Sequence, residues 1–149
     1  PDVPWTSGGG TGGGTHNGVH TLATGTQALT VPTGASNGTQ LTTSALTGGN
    51  NQKWTFTAQS DGSYTLANVA SGLCADVNAG SMSAGAAIIQ WTCTGTTNQR
   101  WNITAATGGG HTLTSVKSGL VITTASTGNN ALVTQQPASG SALQRWTIG

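Results

Sequence analysis

Large apolar residues in this chain recur in short alternating runs, not at helical intervals. The segments His20-Thr21-Leu22-Ala23-Thr24, Tyr64-Thr65-Leu66-Ala67-Asn68 and His111-Thr112-Leu113-Thr114-Ser115 each set a leucine between polar neighbours and run into a turn rich in Gly, Asn or Ser. A period of two puts the apolar positions on one face of a strand, and no segment sustains the 3.6-residue period of a helix. The runs also repeat on a longer scale. Gln52-Lys53-Trp54, Gln99-Arg100-Trp101 and Gln144-Arg145-Trp146 are Gln-x-Trp triplets spaced about 45 residues apart. Phe56, Ile103 and Ile148 follow each tryptophan by two. Leu22, Leu66 and Leu113 fall in step, as do Leu29, Ala75 and Ile122, and Leu41, Ile88 and Val133.

This self-similarity predicts an all-β chain of three copies, about 16–57, 58–104 and 105–149. None of these units can bury its apolar face alone, so the three must share one core. Three-fold closure of antiparallel strands also removes sheet edges, which a chain with so few lysines cannot guard by charge. Residues 1–15, PDVPWTSGGGTGGGT, have the composition of a flexible linker, with docking of Trp5 on the domain as the alternative. The domain proper is then 16–149.

The chain's 149 residues allow one domain with a real core. Lys53, Arg100, Lys117 and Arg145 stand against Asp2, Asp61 and Asp76, with no glutamate and a net charge of +1. Such a chain has no field to attract nucleic acid or an acidic membrane. Five tryptophans in a weakly charged, Gly- and Thr-rich sequence argue against disorder. Cys74 and Cys93 make an even count and point to one disulfide, hence an oxidising compartment and secretion. No apolar run approaches the roughly 20 residues of a membrane span, and no signal peptide is present, as expected of a mature or excised fragment. Asn37-Gly38-Thr39 and Asn102-Ile103-Thr104 are glycan-acceptor triplets, a pattern that chance also produces in a Thr-rich chain.

The middle copy holds what the others lack: Gly72-Leu73-Cys74-Ala75-Asp76-Val77, then Gln90-Trp91-Thr92-Cys93-Thr94-Gly95, closed by Asn98-Gln99-Arg100-Trp101. With the three triplets, these residues resemble the ricin B-type lectin domain, also found as family 13 carbohydrate-binding modules, over about residues 16–148. The resemblance implies a β-trefoil of about twelve short strands with up to one sugar site per subdomain. By position it gives Asp76 the role of accepting hydrogen bonds from two sugar hydroxyls and Trp91 that of stacking on the pyranose. Asn98 and Gln99 supply polar contacts or brace the aspartate. The chemistry supports this independently. A pyranose has C–H groups on one face and hydroxyls at its edge, so it needs a flat aromatic surface beside convergent acceptors and donors. One position departs from the family: Ile89 stands where a glutamine is common, and Gln90 is expected to point to the opposite face.

The other copies are worn. Aligned on its triplet, the first has Thr30 and Ser44 in place of Asp76 and Trp91. The third has Thr123 and Gln136, with Leu143 replacing the asparagine. One working site is therefore expected. Trp54, Trp101 and Trp146 recur in every copy and read as core, the three triplet glutamines as braces, His20 and His111 as structural counterparts of Tyr64, and the basic residue of each triplet as a solvated side chain. His16, His20 and His111 match no metal-ligand spacing, and the glycine run lacks the strand, helix and lysine of a phosphate loop. Neither metal nor cofactor is expected. Glycoside hydrolysis uses two carboxylates about 5–10 Å apart, whereas Asp61 lies in a turn signal away from Asp76, so no catalytic residue is assigned. The expectation is a monomeric, non-catalytic module that binds a galactose- or xylose-type glycan and is linked through its N-terminal segment to a glycoside hydrolase. A protein-binding or inhibitor trefoil with a vestigial pocket is the alternative.

Overall fold

The alternating runs become thirteen short strands in a computed structural model that describes residues 15–32 and 36–149. Most of the segment read as a linker, with Trp5, lies outside the described residues. The strands are β1 (Gly18–His20), β2 (Leu22–Thr24), β3 (Gln27–Thr30), β4 (Thr42–Ala45), β5 (Trp54–Ala58), β6 (Tyr64–Asn68) and β7 (Cys74–Val77), followed by β8 (Ile88–Trp91), β9 (Trp101–Ala105), β10 (His111–Ser115), β11 (Val121–Thr124), β12 (Ala131–Gln136) and β13 (Thr147–Ile148). The count exceeds twelve because β1 and β2 are separated only by Thr21. The first pairs with β5 and the second with β3 and β13. No helix among the described residues is long and apolar enough to cross a membrane.

The strands close in two tiers. Antiparallel pairing runs β1–β5–β6–β9–β10. His111 and Trp146 then exchange backbone hydrogen bonds, and β13 returns to β2, so the sheet path meets itself. The hairpins β3–β4, β7–β8 and β11–β12 form the second tier. They touch in a ring through Gln40 and Ile89, Ala87 and Thr134, and Ala131 and Thr43. This is a β-trefoil, in which closure leaves no long edge to recruit another chain.

Residues that fall in step in the sequence meet at the centre. Leu22, Leu66 and Leu113, Leu29, Ala75 and Ile122, Leu41, Ile88 and Val133, and Trp54, Trp101 and Trp146 are all buried in one cluster. Each indole Nε1 donates to the same backbone carbonyl of its own copy: Trp54 to Leu29, Trp101 to Ala75 and Trp146 to Ile122. The polar end of the ring is thus satisfied inside the core. Truncating any one of them to alanine would cost about 3–5 kcal/mol. Phe56 is fully buried whereas Ile103 and Ile148 are only partly covered.

Three short 3-10 turns, Asn50–Gln52, Thr97–Gln99 and Ala142–Gln144, precede those tryptophans, and their glutamines are buried. Gln52 Oε1 accepts from Thr47 N and its Nε2 donates to Ala45 O. Gln99 repeats this with Thr94 and Thr92, and Gln144 with Ser139 and Pro137. Each glutamine ties the end of its subdomain's outer hairpin to the core tryptophan, a bracing role that all three copies share.

Candidate functional site

Strands β7 and β8 carry the candidate residues. Their register sets Asp76 opposite Ile89 and Cys74 opposite Trp91. The Cys74–Cys93 disulfide joins the start of β7 to the chain just past Trp91. Closing this loop limits the unfolded chain and contributes about 3 kcal/mol. The 3-10 turn at Thr97–Gln99 then lays Asn98 and Gln99 against Asp76. Asn98 Nδ2 donates to Asp76 Oδ1 at 3.2 Å, and Gln99 Nε2 donates to Oδ2 at 2.9 Å. The four residues assigned from sequence therefore converge.

Asp76 is only 5% exposed while Trp91 is 44% exposed. A large indole left in water on a rigid strand is an unfilled contact surface, because burying it on a partner is strongly favourable. Between the two lies a cleft of about 480 Å³, also lined by Gly38, Asn78, Ala79, Gly80, Ile89, Thr94, Thr96 and Asn98. Burial raises the Asp76 carboxyl above the usual aspartate range, against the hydrogen bonds from Gln99 and Asn98, which lower it. Each oxygen accepts one bond from the protein and keeps a lone pair for a further donor. The cleft thus offers an ionisable acceptor pair at its base, amide groups at one side and an aromatic plate at the rim.

Several lining residues escaped the sequence reading. Gly38 comes from the first copy, where Asn37-Gly38-Thr39 was read as a glycan triplet. Asn37 also engages the strand end beside Trp91: Thr92 N donates to its Oδ1 at 2.9 Å and its Nδ2 donates to Thr92 Oγ1 at 3.1 Å. Gly38 N donates to Gln90 O. With φ of +90°, Gly38 holds a conformation open to glycine, and a β-carbon there would reach the Trp91 ring at 3.7 Å. The opposite wall, Asn78–Gly80, bends through Ala79 at φ of 56°. No local signal pairs Gly38 with Trp91, since only closure of the hairpin ring brings them together.

Gln90 and Ile89 behave as strand alternation requires. Ile89 lines the cleft, while Gln90 is fully buried on the other face. Gln90 accepts from Ser71 Oγ and donates to Ser36 O, tying the middle copy to the first.

The two triplet arginines differ from expectation. Arg100 is not simply solvated: its Nε donates to Gly95 O at 2.7 Å and its Nη1 reaches Asp61 Oδ2 at 3.4 Å. Asp61 itself sits in the turn, with Ser63 N donating to its Oδ1. Burial pushes the Asp61 carboxyl up, but the Ser63 hydroxyl and amide and the Arg100 guanidinium outweigh it and hold it below the usual range. His16 packs edge-on against Tyr64 and His111, and burial followed by repulsion from His111 and His20 lowers its pKa. Among the described residues no group of three His, Cys, Asp or Glu side chains is placed to hold a metal.

The family profile described as "Ricin-type beta-trefoil lectin domain-like" matches residues 50–136 and 97–149. The chain belongs to this family. Solved structures agree on the fold. The designed three-fold symmetric protein ThreeFoil superposes with a TM-score of 0.84 at 31% identity, over 87% of this chain and 96% of that one. The exo-β-1,3-galactanase 1,3Gal43A from Clostridium thermocellum superposes at 0.82 with 27% identity, over 87% of this chain but only 29% of the enzyme. The Rhizoctonia solani agglutinin gives 0.80 at 22% identity, over 89% of this chain and 94% of that one. Comparison with curated protein sequences gave no match.

Proposed function

We propose that this lectin-family domain is a non-catalytic carbohydrate-binding module of the family 13 type, secreted, and taking one galactose- or xylose-type unit in the Asp76–Trp91 cleft. The observation that carries the reading is the pairing of a braced, buried carboxylate with an exposed indole across one cleft. The pyranose C–H face stacks on Trp91 while two ring hydroxyls donate to Asp76. Asn98 and Gln99 hold the carboxylate in place, so little ordering is left for the ligand to drive. A hydrogen bond to a charged acceptor contributes about 1.5–3 kcal/mol net. One aromatic plate and two such bonds give affinities of roughly micromolar to millimolar.

Weak binding at one site suits a monomeric module tethered to a glycoside hydrolase. The tether raises local concentration at a polysaccharide without needing tight contacts. The galactanase that contains a similar domain within a longer chain is consistent with that arrangement.

Tryptophan fluorescence and indole N–H chemical shifts, titrated with galactose, lactose, xylose, xylan and arabinogalactan, test the proposal on wild type and Trp91→Ala. The expected result is a saturable response to one sugar class that disappears in the variant. A folded protein that answers to none of these glycans would overturn it and favour a protein-directed role.

A further inference from the structure

The hairpin turns of the second and third copies have the same length and the same two backbone hydrogen bonds, but the third is Ala106-Thr107-Gly108-Gly109-Gly110, with three consecutive glycines at positive φ. Both link five residues between paired alanine and aromatic positions, Ala58 with Tyr64 and Ala105 with His111. Their internal hydrogen bonds correspond: Gln59 N to Ser63 O and Gly62 N to Gln59 O in one, Ala106 N to Gly110 O and Gly109 N to Ala106 O in the other. The turn position held by Asp61 is therefore held by Gly108. Asp61 is the carboxylate that meets Arg100. In the third copy Arg145 stands where Arg100 stands, but its carboxylate has been removed.

The arginine shows the consequence. Arg145 Nε is buried with no hydrogen-bond partner, whereas Arg100 Nε donates to Gly95 O. Neither described aspartate can serve it, since Asp61 is committed to Arg100 and Asp76 to Asn98 and Gln99. Beside the guanidinium opens a second cleft of about 280 Å³, lined by Gly25, Gly108, Gly109, Gly110, Ala142 and Thr147. A β-carbon at Gly108 would meet Arg145 Nη1, so the guanidinium lies directly over the glycine turn. The third-copy turn thus brings no charge to its arginine, whose Nη1 packs over Gly108 at the edge of the cleft. A guanidinium in such a cleft presents a planar fork of donors that matches a carboxylate with two parallel hydrogen bonds.

We propose that Arg145 and the Gly108–Gly110 turn form a carboxylate-binding site, suited to a uronic acid unit of an acidic glycan. The incoming carboxylate takes the place of the missing Asp61 counterpart, with the sugar ring over the glycine turn, where backbone alone lines the wall. This site is built from the third copy and is independent of the Asp76–Trp91 cleft.

The test is a titration of 15N-labelled protein with glucuronate, acetate and galactose, reading the Arg145 Nε–H resonance and the Gly108, Gly109 and Gly110 amides. Arg145→Gln and Arg145→Lys are run in parallel, with thermal melts to confirm folding. Lysine occupies the same triplet position at Lys53, so the second variant keeps a side chain this fold already accepts. Glucuronate should shift all four resonances saturably, weaken about tenfold or more in Arg145→Lys through loss of the fork, and vanish in Arg145→Gln. Binding should also fall with added salt. Acetate acting as well as glucuronate upholds the carboxylate site and shows that the ring adds nothing. Silent Arg145 and glycine resonances up to about 100 mM glucuronate, equal shifts with neutral galactose, or undiminished binding by Arg145→Gln would each overturn the proposal.

Discussion

The middle cleft and its counterpart in the first copy share a scaffold and differ in what that scaffold presents. In both, a buried glutamine bonds the same backbone positions, and an asparagine before it donates to a backbone carbonyl, Asn98 to Val77 and Asn51 to Val31. In the middle copy Gln99 Nε2 ends on an Asp76 oxygen that retains a free lone pair. In the first copy Gln52 Nε2 ends on Thr30 Oγ1, whose proton is already given to Ala28 O. That hydroxyl has no donor left for a ligand. At the rim, Trp91 stands clear, whereas Ser44 Oγ donates to Asn130 Oδ1 and accepts from Asn130 N. The first cleft, about 230 Å³ against about 480 Å³, is closed by its own polar contacts. All three copies keep the glutamine, whereas the acid and the indole stand in the middle copy alone.

Breaking the middle cleft has the largest expected effect. Asp76→Ala should weaken sugar binding at least about a hundredfold in calorimetric titration, since it removes a charged acceptor and the carboxylate that Asn98 and Gln99 hold in place. Trp91→Ala should do the same with almost no change in melting temperature, because the indole is exposed. Replacing both cysteines by serine should destabilise the domain by about 3 kcal/mol in denaturant unfolding. Binding should weaken as well, since the bond anchors the strand end that carries Trp91.

The glutamines separate scaffold from site. Gln52→Ala, Gln99→Ala and Gln144→Ala should each cost about 1–3 kcal/mol, as buried backbone groups lose partners. Only Gln99→Ala should also reduce affinity. Equal affinity losses in all three would show that the brace acts through the whole fold.

The smallest effect comes from acid. Because burial raises the Asp76 pKa in the folded state, its contribution to stability is fully present below the unfolded value and is lost as pH rises through the folded one. Sugar binding runs the other way, since it needs the ionised carboxylate. Affinity should therefore decline on acidification above the usual aspartate range while Asp76 comes to favour the folded state. Asp76→Asn should flatten both trends, compared by titration and thermal melts across that range.

Much of this was legible in the chain because it is written three times. Alternation located the strands, the triplets located the core tryptophans, and the difference between copies singled out Asp76 and Trp91. Gly38 was not legible, because its partner Trp91 is far off in sequence and nothing local marks the pair. The fate of the triplet's basic residue was equally hidden. Arg100 and Arg145 read alike, yet one meets Asp61 and the other faces glycine across a hairpin.

Sequence by itself determined the strand pattern, the three-fold repetition, the disulfide pair and the inequality of the copies, since each rests on spacing or residue type within a single unit. Tertiary structure alone decided which segments line the cleft, how Asn98 and Gln99 divide the Asp76 oxygens, and which arginine lacks a partner. Those facts depend on segments distant in the chain, within a copy or from different copies, meeting at a few ångströms, a distance set by packing around the shared core.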